Sequence, residues 1–155
     1  MSFTYEFEMA SIAADMIIFR YYNKENIQVL LIERGGEPFK GYQSLPGGFV
    51  ERNERTLAAA IRELKEEVNL IVPNLTFVGI ADKPDRDPRQ RTLSCLYSCV
   101  ISDKLSETIK AGDDAAAFKW VNVKDIVDGT VELAFDHYEI VTQTVKQLGS
   151  INYVE

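Results

Sequence analysis

The chain has few of the side chains that usually bind transition metals. It contains two cysteines and one histidine among 155 residues, which is too few for a zinc site built from Cys and His. Cys95 and Cys99 fall in one predicted strand. Their side chains then share a face but lie too far apart along the extended chain to bridge each other. We therefore expect two reduced cysteines and no zinc site.

The sequence also lacks long apolar runs and a secretion signal. No stretch approaches the roughly 20 apolar residues of a membrane span, and residues 1–6 have neither a basic start nor an apolar core. A hydrophobic content of 46% and a charged content of 26% are ordinary for a globular protein. We expect a single domain over residues 1–155, located in the cytoplasm, with no membrane partner.

An excess of positive charge is absent as well. The net charge of −7 argues against nucleic acid as a partner, because non-specific binding relies on a basic surface. Such a charge would also repel phosphate compounds. Cations bound by carboxylates would reverse the local field and make a site attractive to pyrophosphate.

What the sequence does contain is a row of carboxylates in a predicted helix. Glu63, Glu66 and Glu67 are spaced by three and four residues, which places them on one face. Like charges at that spacing repel, so stability alone does not explain the row. It follows a glycine pair, Gly47 and Gly48. Because Mg²⁺ prefers oxygen ligands, often one or two carboxylates plus substrate phosphates, the pattern predicts metal-assisted chemistry on a phosphate compound.

The wider spacing resembles a known family signature. The residues Gly48-x5-Glu54-x7-Arg62-Glu63-Leu64-x-Glu66-Glu67-x-Asn69-Leu70 resemble the Nudix box of the Nudix hydrolases. Every specified position matches except Asn69, where the family has glycine. A surface helix with solvated charges would explain the glutamates but not the fixed offsets of Gly48, Glu54 and Arg62.

The resemblance implies both an architecture and a metal site. The fold expected is of the α/β class, an α/β/α sandwich built on a mixed β-sheet. Glu63 and Glu67 would bind Mg²⁺, with Mn²⁺ as an alternative ion, and Glu66 and the Gly47 carbonyl would complete the site. Glu54 would pair with Arg62 and help to orient the ligands. Asn69 would stand just past the helix end in a left-handed conformation, which asparagine tolerates.

Hydrophobic periodicity predicts the elements around this helix. Strands are expected over 11–20, 27–32, 75–81, 92–101 and 118–121, and a short strand or bend over 45–50. Helices are expected over 56–68 and 136–148. The alternation of Phe3, Tyr5 and Phe7 suggests an edge strand that joins a partner.

Segments outside the box resemble ADP-ribose pyrophosphatases and the Nudix domains of NAD-metabolism regulators. These segments cover residues 37–41, 84–91, 110–115 and 133–137. The resemblance implies hydrolysis of ADP-ribose to AMP and ribose 5-phosphate by a homodimer. One alternative is a nucleotide sugar, a dinucleotide or an oxidised nucleotide as substrate. Another is a non-catalytic ADP-ribose sensor, although a chain ending at Glu155 leaves no room for the DNA-binding module of such regulators.

Candidate substrate ligands lie in the loop after the box. Arg86, Arg89 and Arg91 present planar guanidinium groups that suit phosphate oxygens or stack on a base. The competing interpretation is that the aspartates beside them simply neutralise them in a surface turn. Phe39 could stack on adenine or serve in the core.

The general base is left open between two carboxylates, Glu66 in the box and Asp114 in a glycine-containing loop. Nudix enzymes often place an acidic residue from such a loop near the metals, whereas a plain solvated turn would explain Asp114 equally well. His137 is expected to be a structural hydrogen-bonding group near a helix start, and Trp120 to belong to the core.

Overall fold

The computed structural model describes residues 2–112 and 117–155. Four α-helices are present there: α1 (Thr56–Val68), α2 (Asp103–Ser106), α3 (Val123–Val127) and α4 (His137–Val145), the last followed by a 3₁₀ turn at Leu148–Ser150. The strands are β1 (Ser11–Tyr21), β2 (Ile27–Glu33), β3 (Gln43–Ser44), β4 (Gly47–Phe49), β5 (Thr76–Ala81), β6 (Thr92–Ile101), β7 (Phe118–Asn122) and β8 (Tyr153–Val154).

The strands form one mixed sheet in which β1 is central. It runs parallel to β6 along most of its length and antiparallel to two short partners on its other edge. The first half of β1 pairs with β4 and its end pairs with β2. The sheet therefore divides along that edge, and Gly47 and Gly48 lie beside the division. Residues 13–19 of β1 are all buried, as expected for a strand covered on both faces.

Two apolar clusters lie on opposite faces of the sheet. Met16 and Ile18 of β1 pack with α1, whose buried side is Ala59, Ala60, Leu64 and Val68. The alternate residues, Ile17 and Phe19, point to the other face and pack with residues of α3 and α4. This arrangement of helix, sheet and helix confirms the predicted α/β/α sandwich.

Helix α1 spans the predicted residues, and the conformation expected just past its end is also present. Asn69 has φ 57° and ψ 21°, which is left-handed. Its side-chain amide donates a hydrogen bond to the carbonyl oxygen of Thr108 at 3.1 Å, an interaction that glycine could not make. The departure from the family signature therefore has a local structural compensation.

Some elements differ from the predictions. The closing helix begins at His137 and ends at Val145, so the predicted helix over 136–148 was too long. Helices α2 and α3 were missed because four or five residues are too few to reveal a helical period. Residues 2–10 form no strand in the single chain, and Phe3, Tyr5 and Phe7 are exposed there.

The side chains singled out for their chemistry are mostly where they were expected. Both cysteines are free thiols, and Trp120 is partly buried against the α1-side cluster. In the part of the chain that the structure describes, no helix combines the length and apolar character that a membrane crossing requires.

Candidate active site

The glycine pair of β4 brings the sheet into close contact with the carboxylates of α1. A β-carbon at Gly48 would overlap the Glu63 carboxylate, and one at Gly47 would overlap Asp15. Gly47 instead donates its backbone N–H to Oε1 of Glu67 at 3.0 Å. Only glycine permits this approach, because any side chain would displace one of the carboxylates.

Arg62 organises the carboxylates around it. Its Nε and Nη2 bind the two oxygens of Glu54 at 3.0 and 2.6 Å, and its Nη1 lies 2.8 Å from Glu63 and 3.3 Å from Glu66. The hydrogen bond from Arg62 is the main reason that the pKa of Glu54 falls to about 2. The expected pair Arg62–Glu54 is therefore present in the structure, and Arg62 also pairs with Glu66 one helical turn on.

The carboxylates still outnumber the guanidinium group that holds them. Burial raises the pKa of Glu63. It also raises the pKa of Glu67 to about 8, against the hydrogen bond from Gly47 and with the help of the Glu63 charge. Two half-buried carboxylates thus resist ionisation together. A cation placed between them would remove that cost.

This donor set fits Mg²⁺. Within residues 2–112 and 117–155, no three acidic, His or Cys side chains already surround one point, and the Glu66 side chain is 59% exposed and turned toward Arg62. Mg²⁺ does not need such a cage, since it commonly keeps several waters and takes one or two carboxylates plus substrate phosphates. Glu63 and Glu67 supply that number.

A cleft opens beside the glycine pair. The lining residues that the site chemistry can use are Asp15, Arg34, Phe49, Arg86, Arg89 and Phe135.

The floor of the cleft holds a buried ionic network around Arg86, whose side chain is 5% exposed. Its Nε and Nη2 bind Asp136 at 2.9 and 2.8 Å, and Nη2 lies 3.4 Å from Oδ2 of Asp15. Ser94 donates its hydroxyl to the same oxygen of Asp15 at 2.6 Å. Burial opposes the charge on Arg86, but Asp136 and Asp15 together raise its pKa.

His137 supports the same wall of the cleft. The residue is buried at the first position of α4, and its Nδ1 accepts a hydrogen bond from the backbone N–H of Leu45 at 3.0 Å. The expectation of a structural hydrogen bond near a helix start is confirmed. Because Leu45 lies close before the glycine pair, the bond ties α4 to the approach of β4.

The three arginines of the loop have different positions. Arg86 and Arg89 line the cleft, whereas Arg91 donates to the carbonyl oxygen of Asp82 at 2.8 Å. Arg89 pairs with Asp87 through two nitrogens at 3.0 and 2.8 Å, and its guanidinium lies 5.5 Å from the Phe49 ring. The structure therefore brings two of the three together, and both are already paired with aspartates of the protein.

Two further predicted residues have different outcomes. Phe39 is half-buried and does not itself line the cleft, but its ring meets that of Phe135, which does, edge-on at 4.8 Å. Asp114 lies outside the described residues. The proposed roles of these side chains in binding and catalysis stay predictions.

Sequence reasoning missed Asp15, Arg34 and Phe135. Asp15 did carry a signal, since it is an acidic residue inside the apolar run of β1, where a charge requires a partner. Phe135 belongs to the resembling segment 133–137, which did not indicate a role for its ring. Arg34 had no local signal, because only the fold places it beside the cleft.

The layered fold, the close-packed glycine pair and the carboxylate helix at a cleft define a hydrolase of the α/β/α class. The model of the NUDIX domain matches residues 11–143. The chain belongs to the Nudix family.

Proteins of similar sequence and similar structure agree with this membership. An ADP-ribose pyrophosphatase of Methanocaldococcus jannaschii is 40% identical over 84% of this chain and 70% of its own length. The ADPR responsive transcriptional repressor NtrR of Acinetobacter baylyi is 32% identical over 88% of this chain, which spans 53% of the repressor. The crystal structure of a MutT/nudix family protein from Enterococcus faecalis has 35% identity and a TM-score of 0.78, with 90% of this chain and 62% of that one covered.

Proposed function

We propose that the protein hydrolyses ADP-ribose to AMP and ribose 5-phosphate with Mg²⁺. The observation that carries the chemistry is the half-buried pair of Glu63 and Glu67, which packs against the glycine pair beside a cleft. The positive charge around this pair is too small to balance its two carboxylates, whose pKa values are raised. The choice of substrate is supported by the likeness to the archaeal ADP-ribose pyrophosphatase over most of both chains.

Glu63 and Glu67 would hold the ion, with Glu66 and the Gly47 carbonyl as further ligands and Mn²⁺ as an alternative metal. When bound, the ion supplies a Lewis acid that neutralises charge on the phosphate oxygens and acidifies water. Arg62 acts by keeping Glu54 ionised and Glu63 in position. This role is positioning, because the guanidinium is already occupied by protein carboxylates.

The reaction needs an in-line attack on one phosphorus of the diphosphate. The oxygen of water forms a bond to that phosphorus while the bridging P–O bond breaks and the other phosphate leaves. A carboxylate takes the proton of the attacking water. Glu66 suits this role by its exposure beside the pair, and Asp114 is the second candidate.

On the other side of the cleft, Arg89 and Phe39 are proposed to contact the substrate. Arg89 has one terminal nitrogen beyond its bonds to Asp87 and lies over an aromatic ring, which suits a phosphate oxygen or a base. Arg86 and Arg91 were predicted to bind substrate too. We assign Arg86 to holding the loop in place, because its nitrogens bind Asp136 and Asp15.

A second candidate function is a non-catalytic ADP-ribose sensor. It is favoured by the likeness to an ADPR responsive repressor, of which the chain spans about half. The intact carboxylate row and the raised pKa values of Glu63 and Glu67 favour catalysis instead, since a sensor has no use for an excess of half-buried negative charge.

Turnover assays separate these functions. The protein would be incubated with ADP-ribose, a nucleotide sugar, a dinucleotide and an oxidised nucleoside triphosphate, each with Mg²⁺, with Mn²⁺ and with EDTA. We expect the highest kcat/KM for ADP-ribose and no turnover in EDTA. Tight binding of ADP-ribose without turnover in either metal would identify the sensor, and faster hydrolysis of another diphosphate would change the substrate.

We also propose that residues 1–155 act as a single Nudix domain in the cytoplasm and form a homodimer. The N-terminal arm supports the last point, since Phe3, Tyr5, Phe7 and Met9 are all at least half exposed and alternate as in a strand. Such an apolar row is costly to leave in water. Sedimentation equilibrium of the wild type and of Phe7→Ser would test it, with dissociation expected in the variant.

A further inference from the structure

Arg34 is a partly buried arginine that has no carboxylate partner among the described residues. It follows β2 and lines the cleft. Its Nε donates to the carbonyl oxygen of Pro38 at 2.7 Å, and its guanidinium lies 4.8 Å from the centre of the Phe135 ring. Among the described residues, no carboxylate oxygen lies within 4.0 Å of a guanidinium nitrogen of Arg34, so it forms no ion pair there. The two terminal nitrogens have no hydrogen-bond acceptor in that part of the chain.

The other arginines around the site are different. Arg62 binds three glutamates, Arg86 binds two aspartates, and Arg89 binds Asp87. A cation that is partly removed from water is normally compensated in this way, because desolvation without a partner is costly. Arg34 is held in place by a carbonyl oxygen and an aromatic ring, neither of which neutralises its charge.

A second cation lies close to Arg34. Arg89 faces the same Phe135 ring at 6.0 Å, so two guanidinium groups converge on one wall of the cleft. Burial lowers the pKa of Arg34 and the charge of Arg89 lowers it further, and these effects outweigh the opposing charges of Asp87, Asp15 and Glu67. In a chain of net charge −7, two cations that repel each other beside a cleft indicate an anionic ligand that would relieve the repulsion.

The position of Arg34 suits one part of the proposed substrate. Gly47 and Gly48 line the same cleft and contact the carboxylates of α1, so only the glycine pair separates the anion site from the carboxylate pair. We propose that Arg34 binds a phosphate oxygen of the diphosphate through its two terminal nitrogens, with Arg89 beside it. This inference rests on the proposed function, and it adds a specificity-determining residue that selects substrates by their phosphate charge.

The test compares Arg34→Gln with Arg34→Lys and with a matched control. Arg20 provides the control, because its guanidinium also lies over an aromatic ring, Trp120 at 4.3 Å, and burial also lowers its pKa. It sits near the end of β1 and binds Gln28, away from the cleft. Binding of ADP-ribose would be measured by calorimetry in EDTA at several salt concentrations, so that no hydrolysis occurs.

We expect Arg34→Gln to raise Kd by about 10- to 100-fold, the range for a lost charge-assisted hydrogen bond. The salt dependence of binding should become shallower, which a packing defect would not cause. Arg34→Lys should recover part of the affinity, since it restores the charge but not the planar fork. Arg20→Gln should bind like the wild type. In steady-state assays KM should rise with kcat changed by less than about threefold, as for binding energy shared by ground and transition states.

An unchanged Kd and KM in Arg34→Gln, with an active wild type, would overturn this inference and leave the proposed function intact. A weaker Kd with an unaltered salt dependence would also overturn it, because the loss would then come from packing against Phe135. A wild-type protein that neither binds nor hydrolyses any diphosphate would remove both proposals together.

Discussion

Two arginine–carboxylate networks lie on either side of the glycine pair, and they differ in exposure and in balance. The Arg62 side chain is 24% exposed and faces Glu54, Glu63 and Glu66, with Glu67 beside them. The Arg86 side chain is 5% exposed and binds Asp136 and Asp15, whose side chains are 8% and 12% exposed. The same residue types therefore form an open network on the helix side and a closed one on the loop side.

The difference shows why similar groups serve different purposes. Around Arg62 the acids outnumber the cation, and burial raises the pKa of Glu63 and Glu67. The excess negative charge of these carboxylates is available to bind a metal ion. Around Arg86 nearly every polar atom has a partner, including the hydroxyl of Ser94. A buried network of that kind stabilises one specific structure, and removing only one of its charged partners strongly destabilises the fold.

The largest effect should come from removing charge on the open side. We expect Glu67→Gln, and likewise Glu63→Gln, to lower kcat by at least about a thousandfold, because a metal ligand and its charge are lost together. The free energy of unfolding without metal should stay the same or rise, since a half-buried charge is removed. Steady-state kinetics and urea denaturation in EDTA would measure the two quantities.

Glu25→Gln is the control for this pair, because Glu25 lies in an exposed turn. It should change neither quantity. If Glu67→Gln kept near-normal turnover, the open network would not be the metal site. If Glu67→Gln unfolded the protein instead, the Glu67 carboxylate would have a structural role. The open and the closed network would then both serve stability.

The second prediction compares the same substitution at the two central arginines, Arg86 and Arg62. Arg86→Met should destabilise the fold by about 3–5 kcal/mol, because Asp15 and Asp136 are left buried without a cation. Arg62→Met should cost much less stability, since its partners can turn to water, yet it should lower kcat strongly by releasing Glu54 and Glu63. Urea denaturation and kinetics on both variants would show whether stability and activity separate between the sides.

Adding Asp136→Asn to Arg86→Met should restore part of the lost stability by removing one uncompensated charge. Equal destabilisation by Arg62→Met and Arg86→Met would contradict the distinction between an open and a closed network.

The open network could be predicted from the sequence, and the closed one could not. Glu63, Glu66 and Glu67 follow one another within the helix that carries Arg62, so their spacing places them together, and the family resemblance implied the pairing with Glu54 in the loop before it. Arg86 and Asp15 are 71 residues apart, and Arg86 and Asp136 are 50 apart. They meet through the parallel pairing of β1 with β6 and the docking of α4, which no local pattern encodes. Arg34 escaped notice for the same reason.

The third prediction concerns pH on the closed side. Burial lowers the pKa of His137 despite the nearby Asp15, so the folded protein resists a proton that the unfolded chain accepts near pH 6.5. Stability from this group is therefore complete above that pH and falls as the pH drops below it. The slope should reach at most about 1.4 kcal/mol per pH unit.

His137→Asn keeps an acceptor for the Leu45 N–H and does not titrate, so it serves as the comparison. The free energy of unfolding would be measured between pH 7.5 and pH 5.0 for both proteins. We expect the wild type to lose more stability than the variant over the acid part of that range. Parallel curves would mean that His137 takes up its proton without cost and that the closed side tolerates charge.

The smallest effect is expected at Asn69, where the carboxylate helix ends. Asn69→Gly relieves a left-handed conformation but loses the hydrogen bond to Thr108, and these opposing terms should leave stability within about 0.5 kcal/mol. Asn69→Ala keeps the conformational cost and loses the bond, so it should destabilise by about 1–2 kcal/mol. Neither change reaches the carboxylates, and kcat should stay within about twofold of the wild type in both. A large loss of turnover in Asn69→Gly would show that the helix end positions Glu66 and Glu67, and that the open network depends on more than Arg62 and the glycine pair.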